Sequence, residues 1–232
     1  MSALVAPSYN LCNMLIKDLG EFGTLEIINQ LISSSRPVDT DSAQHLLIDS
    51  GDDSAGWSPH GTVELMTTDT VVEGIHFTSE SIGWHHLGWK VLASNISDIA
   101  SMGALPSYAV VTLGLPPHTE INDITDLYKG MLSIANQYHV SIIGGDMVRS
   151  DQIFISITLT GTTTKEPLLR TTANIGDVVA VTGYLGGSAG GLKLMQQSIK
   201  PDKASKDYLV TCHQRPTPQV ESGRILVDCN IR

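Results

Sequence analysis

The chain has few cysteines, no long apolar run and few basic residues, and each shortage excludes a class of protein. Cys12, Cys212 and Cys229 are odd in number and lack metal-site spacing, which favours a reducing compartment over secretion with disulfides. No apolar stretch approaches the roughly 18–20 residues of a membrane span. Because the N-terminus lacks a basic segment followed by an apolar core, no secretory signal is predicted and the expected location is the cytoplasm.

Basic residues are outnumbered, with 14 Lys and Arg against 24 Asp and Glu, for a net charge of −10. This balance argues against binding to nucleic acid or to an anionic membrane surface. It is compatible with a small phosphate ligand, because bound Mg²⁺ reverses the local sign of the charge. The 232 residues, 41% hydrophobic and 16% charged, are typical of a globular protein that can bury a core.

Hydrophobic periodicity predicts a chain of both helices and strands. The predicted helices are 21–34, 84–102, 121–138, a helix that follows a glycine-rich turn and ends at 195, and 205–213. The predicted strands are 46–49, 63–70, 108–115, 140–143, 153–163 and 178–182.

A shift to polar residues at 162–174 predicts a domain boundary, with one domain at 1–164 and another at 165–232. The second part has one predicted strand and two predicted helices, which is too little for an independent core. We therefore expect an incomplete second domain.

Four aspartates stand in separate segments, each beside glycine, a small residue or a hydroxyl, at the edge of an apolar run. They are Asp53, Asp69, Asp98 and Asp146. Because an unpaired buried charge is costly, carboxylates gathered from separate elements usually share a cation. Oxygen ligands favour a hard cation such as Mg²⁺. The pattern predicts a site where Mg²⁺ ions hold a polyphosphate.

Each segment also has a simpler structural explanation when it is taken alone. The glycine–aspartate triplets are typical of turns, and Asp69 fits a strand end equally well. His76 and Tyr128 fit packing roles. The glycine-rich stretch 183–191 lacks the Lys and Ser or Thr that complete a phosphate loop, and favours a turn into a helix. Only the combination of aspartates indicates chemistry, and nothing predicts a general acid or base.

In order and spacing, four motifs together resemble a known family. They are 51–55 (GDDSA), 67–77 (TTDTVVEGIHF), 95–104 (NISDIASMGA) and 144–146 (GGD). They resemble the thiamine-monophosphate kinases, which belong to the ATP-binding superfamily of aminoimidazole ribonucleotide synthetase. The resemblance covers essentially the whole chain. It implies an N-terminal α/β domain with a mixed sheet flanked by helices, which dimerises by joining two sheets into a barrel, followed by a second α/β domain.

The resemblance also implies roles for matching residues. The implied Mg²⁺ ligands are Asp53, Thr67, Thr68, Asp69, Asp98 and Asp146. The implied ATP contacts are Tyr128, Gly145, Asp146 and Arg170. His76 would contact thiamine monophosphate. The implied cofactor is several Mg²⁺ ions, the implied substrates are ATP and thiamine monophosphate, and the implied assembly is a homodimer.

Two departures from the family pattern keep the function open. Met147 and Val148 replace small hydroxyl residues, and the family's Asp-x-Ser-Asp-Gly segment has no match before Arg232. One expected function is phosphorylation of thiamine monophosphate to thiamine diphosphate. The alternatives are another ATP-dependent small-molecule synthetase of the superfamily, and a non-catalytic fragment that binds nucleotide or dimerises.

Overall fold

A six-stranded mixed sheet carries two long helices on one face. The computed structural model describes residues 46–48, 54–58, 61–197, 199 and 201–231, and residues 46–232 form one compact unit. The strands are β1 (Leu46–Ile48), β2 (Ala55–Trp57), β3 (Val63–Val72), β4 (Leu105–Leu115), β5 (Ser141–Arg149) and β6 (Phe154–Thr163). The helices are α1 (Trp84–Ser101), α2 (Ile121–Tyr138), α3 (Gly187–Gln196), α4 (Lys203–Gln214) and α5 (Val220–Asp228).

The strands lie in the order β1-β2-β3-β6-β4-β5. All neighbours are antiparallel except β4 and β5, which are parallel. A parallel pair needs a crossover connection, and α2 supplies it. The predicted α/β class with a mixed sheet is therefore confirmed.

The core is a single layer between the sheet and helices α1 and α2. Alternation along the strands sends one set of side chains into this layer, and the two helices contribute their apolar faces. The fully buried large residues include Leu92, Ile96, Ile99, Leu127, Met131, Ile134, Ile155, Ile157 and Leu159. On the opposite face of the sheet Met66, Tyr108 and Val110 are exposed. That second face has no helix over it in the described part of the chain.

Glycines set the distance between α1 and α2. A methyl group on Gly88 would collide with the Leu127 carbonyl oxygen, and one on Gly130 would collide with the His85 carbonyl oxygen. The two helices therefore touch backbone to backbone at this crossing. Close helix packing also explains the last glycine of the predicted glycine-rich stretch. Gly191 of α3 lies against the Leu209 carbonyl of α4.

One strand prediction is too short and another is wrong. Residues 141–143 begin a longer strand, β5, which is largely exposed because it lies at the sheet edge. The segment 178–182 forms no strand, and Val178 and Val179 are 91% and 93% exposed. Strand β2 and helix α5 were not predicted. The predicted helix 21–34 lies outside the described residues.

The C-terminal segment accepts side-chain hydrogen bonds from helices α1 and α2. Trp89 Nε1 donates to the Pro216 carbonyl at 2.9 Å, and the Tyr138 hydroxyl donates to the Pro218 carbonyl at 2.9 Å. The Arg215 guanidinium lies 4.1 Å from the centre of the Trp89 ring. The predicted boundary between 164 and 165 stays a prediction. Among the described residues, no helix has the length and apolar character needed to cross a membrane.

We expect Gly88→Ala to destabilise the protein by about 1–3 kcal/mol, because the added methyl group forces the two helix backbones apart. The gain in helix propensity, about 1 kcal/mol, offsets only part of this cost. Gly83→Ala is the matched control, since a methyl group there meets open space. Thermal unfolding of both variants checks the prediction, and equal midpoints would contradict the close helix crossing.

Candidate metal and phosphate site

Two predicted ligands meet where β3 faces α1. The Thr67 hydroxyl donates to Asp98 Oδ2 at 2.7 Å. Strand alternation puts Asp69 on the same face as Thr67. Burial raises the pKa of Asp98, the hydrogen bond from Thr67 lowers it, and the negative charge of Asp69 raises it again. The structure therefore brings Thr67, Asp69 and Asp98 together.

This group suits a hard divalent cation. The exposed Asp69 carboxylate repels the half-buried Asp98 carboxylate, and a cation between them removes that cost. No ion pair neutralises either carboxylate in the part of the chain that the structure describes. The group is incomplete as it stands, because the described residues contain no cluster of three His, Cys, Asp or Glu side chains able to hold a metal. The predicted ligand Asp53 lies outside those residues.

Two buried side-chain oxygens near the predicted ligands in sequence have no hydrogen-bond partner among the described residues. Ser54 is only 3% exposed, and its hydroxyl oxygen has no hydrogen-bond partner within the described segments. Asn95, one turn before Asp98 on α1, is fully buried. Its side-chain amide donates to the Val91 carbonyl at 3.0 Å, which fixes the side chain but leaves its oxygen without a partner there. These oxygens add acceptor capacity near the acidic segments.

Thr68 lies on the other face of the sheet. Its hydroxyl donates to the Ile157 carbonyl at 3.0 Å and accepts from the Thr158 hydroxyl at 3.1 Å. The structure therefore does not bring the Thr68 side chain to Asp98. Adjacent residues of a strand point to opposite faces, so Thr67 and Thr68 cannot both present a hydroxyl to one ion.

Asp146 lies at the far edge of the sheet. It is exposed on β5, which is separated from β3 by three strand spacings of ~4.8 Å, or about 14 Å. One Mg²⁺, with ligands ~2.1 Å away, cannot bind both Asp146 and Asp69 of the same chain across that distance. Its neighbour Gly145 is required by packing, because a methyl group there would collide with the Val111 carbonyl oxygen.

The predicted nucleotide contacts are dispersed. Tyr128 is half-buried on α2, where burial raises the pKa of its hydroxyl. Arg170 is exposed in the segment between β6 and α3. Neither position decides between a packing role and a ligand role.

His76 lies in a turn that follows β3. Its Nδ1 accepts a hydrogen bond from the Val72 backbone N–H at 3.1 Å. The ring therefore carries its proton on Nε2, which is left as a donor. His76 also lines a cavity of about 300 Å³ together with Lys90 and His213. Sequence reasoning missed those last two residues, although a lysine inside the apolar run of α1 was a visible signal.

Comparison with known proteins gives three clear similarities. The thiamine-monophosphate kinase of Bacillus subtilis (strain 168) is 39% identical over 180 residues, which are 75% of this chain and 55% of that protein. The solved structure of AaThiL complexed with AMPPCP and TMP is 30% identical, with a TM-score of 0.81, and covers 93% of this chain and 65% of that one. Thiamine monophosphate kinase from Aquifex aeolicus is 29% identical, with a TM-score of 0.74 over 92% and 65%.

The family of AIR synthase related proteins matches through its N-terminal domain, over residues 51–163. This defines the class of the fold around the aspartates. The chain is a homologue of the thiamine-monophosphate kinases, which confirms the resemblance carried by the four motifs. The chain spans about 55% of the Bacillus relative and 65% of each solved chain.

We expect Asp98→Asn to stabilise the metal-free protein at pH 7. The pKa of Asp98 is raised in the folded state, so the folded protein binds this proton more tightly and the ionised carboxylate costs stability. The cost grows as the pH rises through the folded-state pKa and vanishes below the unfolded-state value of about 3.9. Thermal unfolding in EDTA at several pH values measures the difference.

Asp207→Asn is the control for that experiment, because Asp207 is exposed on α4. A stability gain that is the same in both variants, or that does not shrink toward low pH, would show that the ionised Asp98 carboxylate does not destabilise the folded protein.

Proposed function

We propose that the chain transfers the γ-phosphoryl group of ATP to thiamine monophosphate, giving thiamine diphosphate, with Mg²⁺ as the cofactor. The observation that carries the proposal is the half-buried Asp98 carboxylate, which accepts a hydrogen bond from Thr67 and lies near the charge of Asp69, in a homologue of these kinases. The AaThiL structure, complexed with AMPPCP and TMP, supports the choice of substrates.

The reaction requires little acid–base catalysis by the protein. The nucleophile is a phosphate oxygen that is already ionised near neutral pH, so no general base is required. The main obstacle is repulsion between two anions. Bound Mg²⁺ offsets this charge and aligns the attacking and leaving oxygens.

The side chains of the chain position these charges. Asp69 and Asp98 would hold metal, and the Thr67 hydroxyl fixes the orientation of the Asp98 carboxylate. On the proposal, Asp53, Thr68 and Asp146 complete the ligands of further ions, while Tyr128, Gly145 and Arg170 contact the nucleotide. His76 would donate its Nε2 proton to an oxygen of thiamine monophosphate. These are the roles that the four motifs imply.

The open face of the sheet supports a homodimer. Met66, Tyr108 and Val110 are 40%, 55% and 39% exposed there, and β5 is an edge strand of the sheet formed by the described residues. Large apolar side chains that are exposed on one face of a sheet favour association of that face with another protein surface. We propose that a second copy covers this face, with the two sheets joined in a barrel.

A second candidate is a non-catalytic nucleotide-binding fragment. It is favoured by the incomplete ligand group, since the described residues bring together two carboxylates rather than three. Binding of Mg²⁺ and nucleotide without product would distinguish it from the kinase.

We expect Asp69→Asn and Asp146→Asn each to lower the rate of thiamine diphosphate formation by about 10²–10³, comparable to the loss of one strong electrostatic stabiliser. Chromatography of a reaction with ATP, Mg²⁺ and thiamine monophosphate measures the product. Asp207→Asn keeps full activity as the control. Wild-type nucleotide affinity and turnover in both ligand variants would reject the metal assignment.

We expect Val110→Lys to weaken the dimer, because it places a charge in the middle of the proposed apolar contact. Sedimentation velocity over a range of concentrations measures the change. Leu132→Lys is the control, since Leu132 is 46% exposed on α2, away from the sheet. A dimer that persists in the Val110 variant, or a monomeric wild type, would contradict the proposed interface.

A further inference from the structure

The cavity beside His76 has no acidic side chain among its described lining residues. Its walls include the turn at 74–78, Lys90 of α1 and His213 of α4, and its apolar side consists of Ile75, Phe77, Ile82 and Leu192. Most surfaces of a chain with 24 acidic and 14 basic residues carry carboxylates. A cavity whose described lining contains a lysine, two histidines and no carboxylate is therefore suited to an anion.

Lys90 is a half-buried cation without a counter-ion. Within the described residues its only side-chain partner is His213, at 3.0 Å from Nζ to Nε2. Burial lowers the pKa of Lys90, and no acidic group acts against that effect. Removing a charged side chain from water without a partner costs free energy, and a bound anion would offset this desolvation cost.

A chain of hydrogen bonds orients Lys90. An ammonium group has donors and no acceptor, so His213 Nε2 must accept. The proton of the neutral ring then lies on Nδ1, which is 3.0 Å from the Ser188 hydroxyl at the start of α3. Burial and the charge of Lys90 both lower the pKa of His213, which agrees with a neutral ring. The remaining N–H donors of Lys90 are left for a ligand.

We propose that Lys90 binds the phosphate group of the acceptor substrate in this cavity, and that His213 is the residue that positions it. The identity of the acceptor as thiamine monophosphate rests on the proposed function. The apolar side of the cavity takes the organic part of the molecule, and His76 Nε2 is a second donor to the phosphate. Nothing in the roles implied by the motifs assigns Lys90 or His213.

The test compares thiamine monophosphate with thiamine, which lacks the phosphate, by calorimetric titration of the 232-residue chain. We expect Lys90→Met to weaken thiamine monophosphate about 10- to 100-fold, the effect of one charge-assisted hydrogen bond, and to leave thiamine unchanged. Lys90→Arg restores part of the preference. Lys165→Met is the charge-matched control, because Lys165 is exposed and pairs with Asp228 at 2.6 Å.

The role of His213 is tested by two replacements. His213→Leu removes the acceptor for Lys90 and reduces the preference for the phosphate, while His213→Gln, which keeps an acceptor, restores it. Equal loss in both variants would reject the positioning role. Unfolding midpoints confirm that each variant is folded.

The remaining outcomes separate this inference from the proposed function. Wild-type affinities in Lys90→Met overturn the inference, whether or not the chain turns over substrate. A wild type that binds thiamine and its phosphate equally also overturns it. The Lys90→Met variant is also titrated with metal-free AMPPCP. If it loses affinity for the nucleotide and not for thiamine monophosphate, Lys90 binds the nucleotide and the inference is rejected. Absence of turnover with the binding pattern intact would reject the kinase and keep the phosphate site.

Discussion

The close backbone packing of helix α1 is the constraint on which the rest of the described structure depends. Gly88 lets α2 approach on one side, and Gly161 of β6 leaves room for Ile99 on the sheet side. Gly223 of α5 lies against the Ala100 carbonyl on a further side. Because α2 and α5 approach at backbone distance and the Ile99 side chain fills the space over Gly161, α1 cannot rotate or slide without several collisions at once. The side chains that it carries are therefore fixed in direction.

The functional groups are distributed along this fixed helix. Lys90 and Asp98 lie eight residues apart, which is about 12 Å of helix. Between these positions the helix is apolar and fully buried at Leu92 and Ile96. Trp89 and Lys90 also receive the C-terminal segment, through Pro216 and His213 respectively. The same element thus orients Asp98, the proposed phosphate-binding Lys90 and the approach of the last two helices.

The sequence predicted what depends on local pattern and missed what depends on distant partners. The periodicity of α1, α2 and β6 is strong, and their bounds are confirmed within a few residues. The aspartate motifs predicted that Asp69 and Asp98 lie together, although not that Thr68 points to the other face. The contact between Lys90 and His213 joins residues 123 positions apart, so no local pattern could reveal it. The valines at 178–182 have strand propensity, but no strand of the described residues pairs with them.

The charge distribution along α1 suggests how two phosphate substrates are kept apart. On the proposals above, the anionic end at Asp98 would repel a polyphosphate until a cation is bound, whereas the end at Lys90 would accept a phosphate without metal. On the proposed function, the nucleotide enters with its Mg²⁺ at the first end and the monoester at the second. A site that was cationic throughout would bind either phosphate in either place, because lysines attract any phosphate as point charges. On the proposed function, the separation of charge would therefore supply selectivity before any contact with the base or the thiazole ring is made.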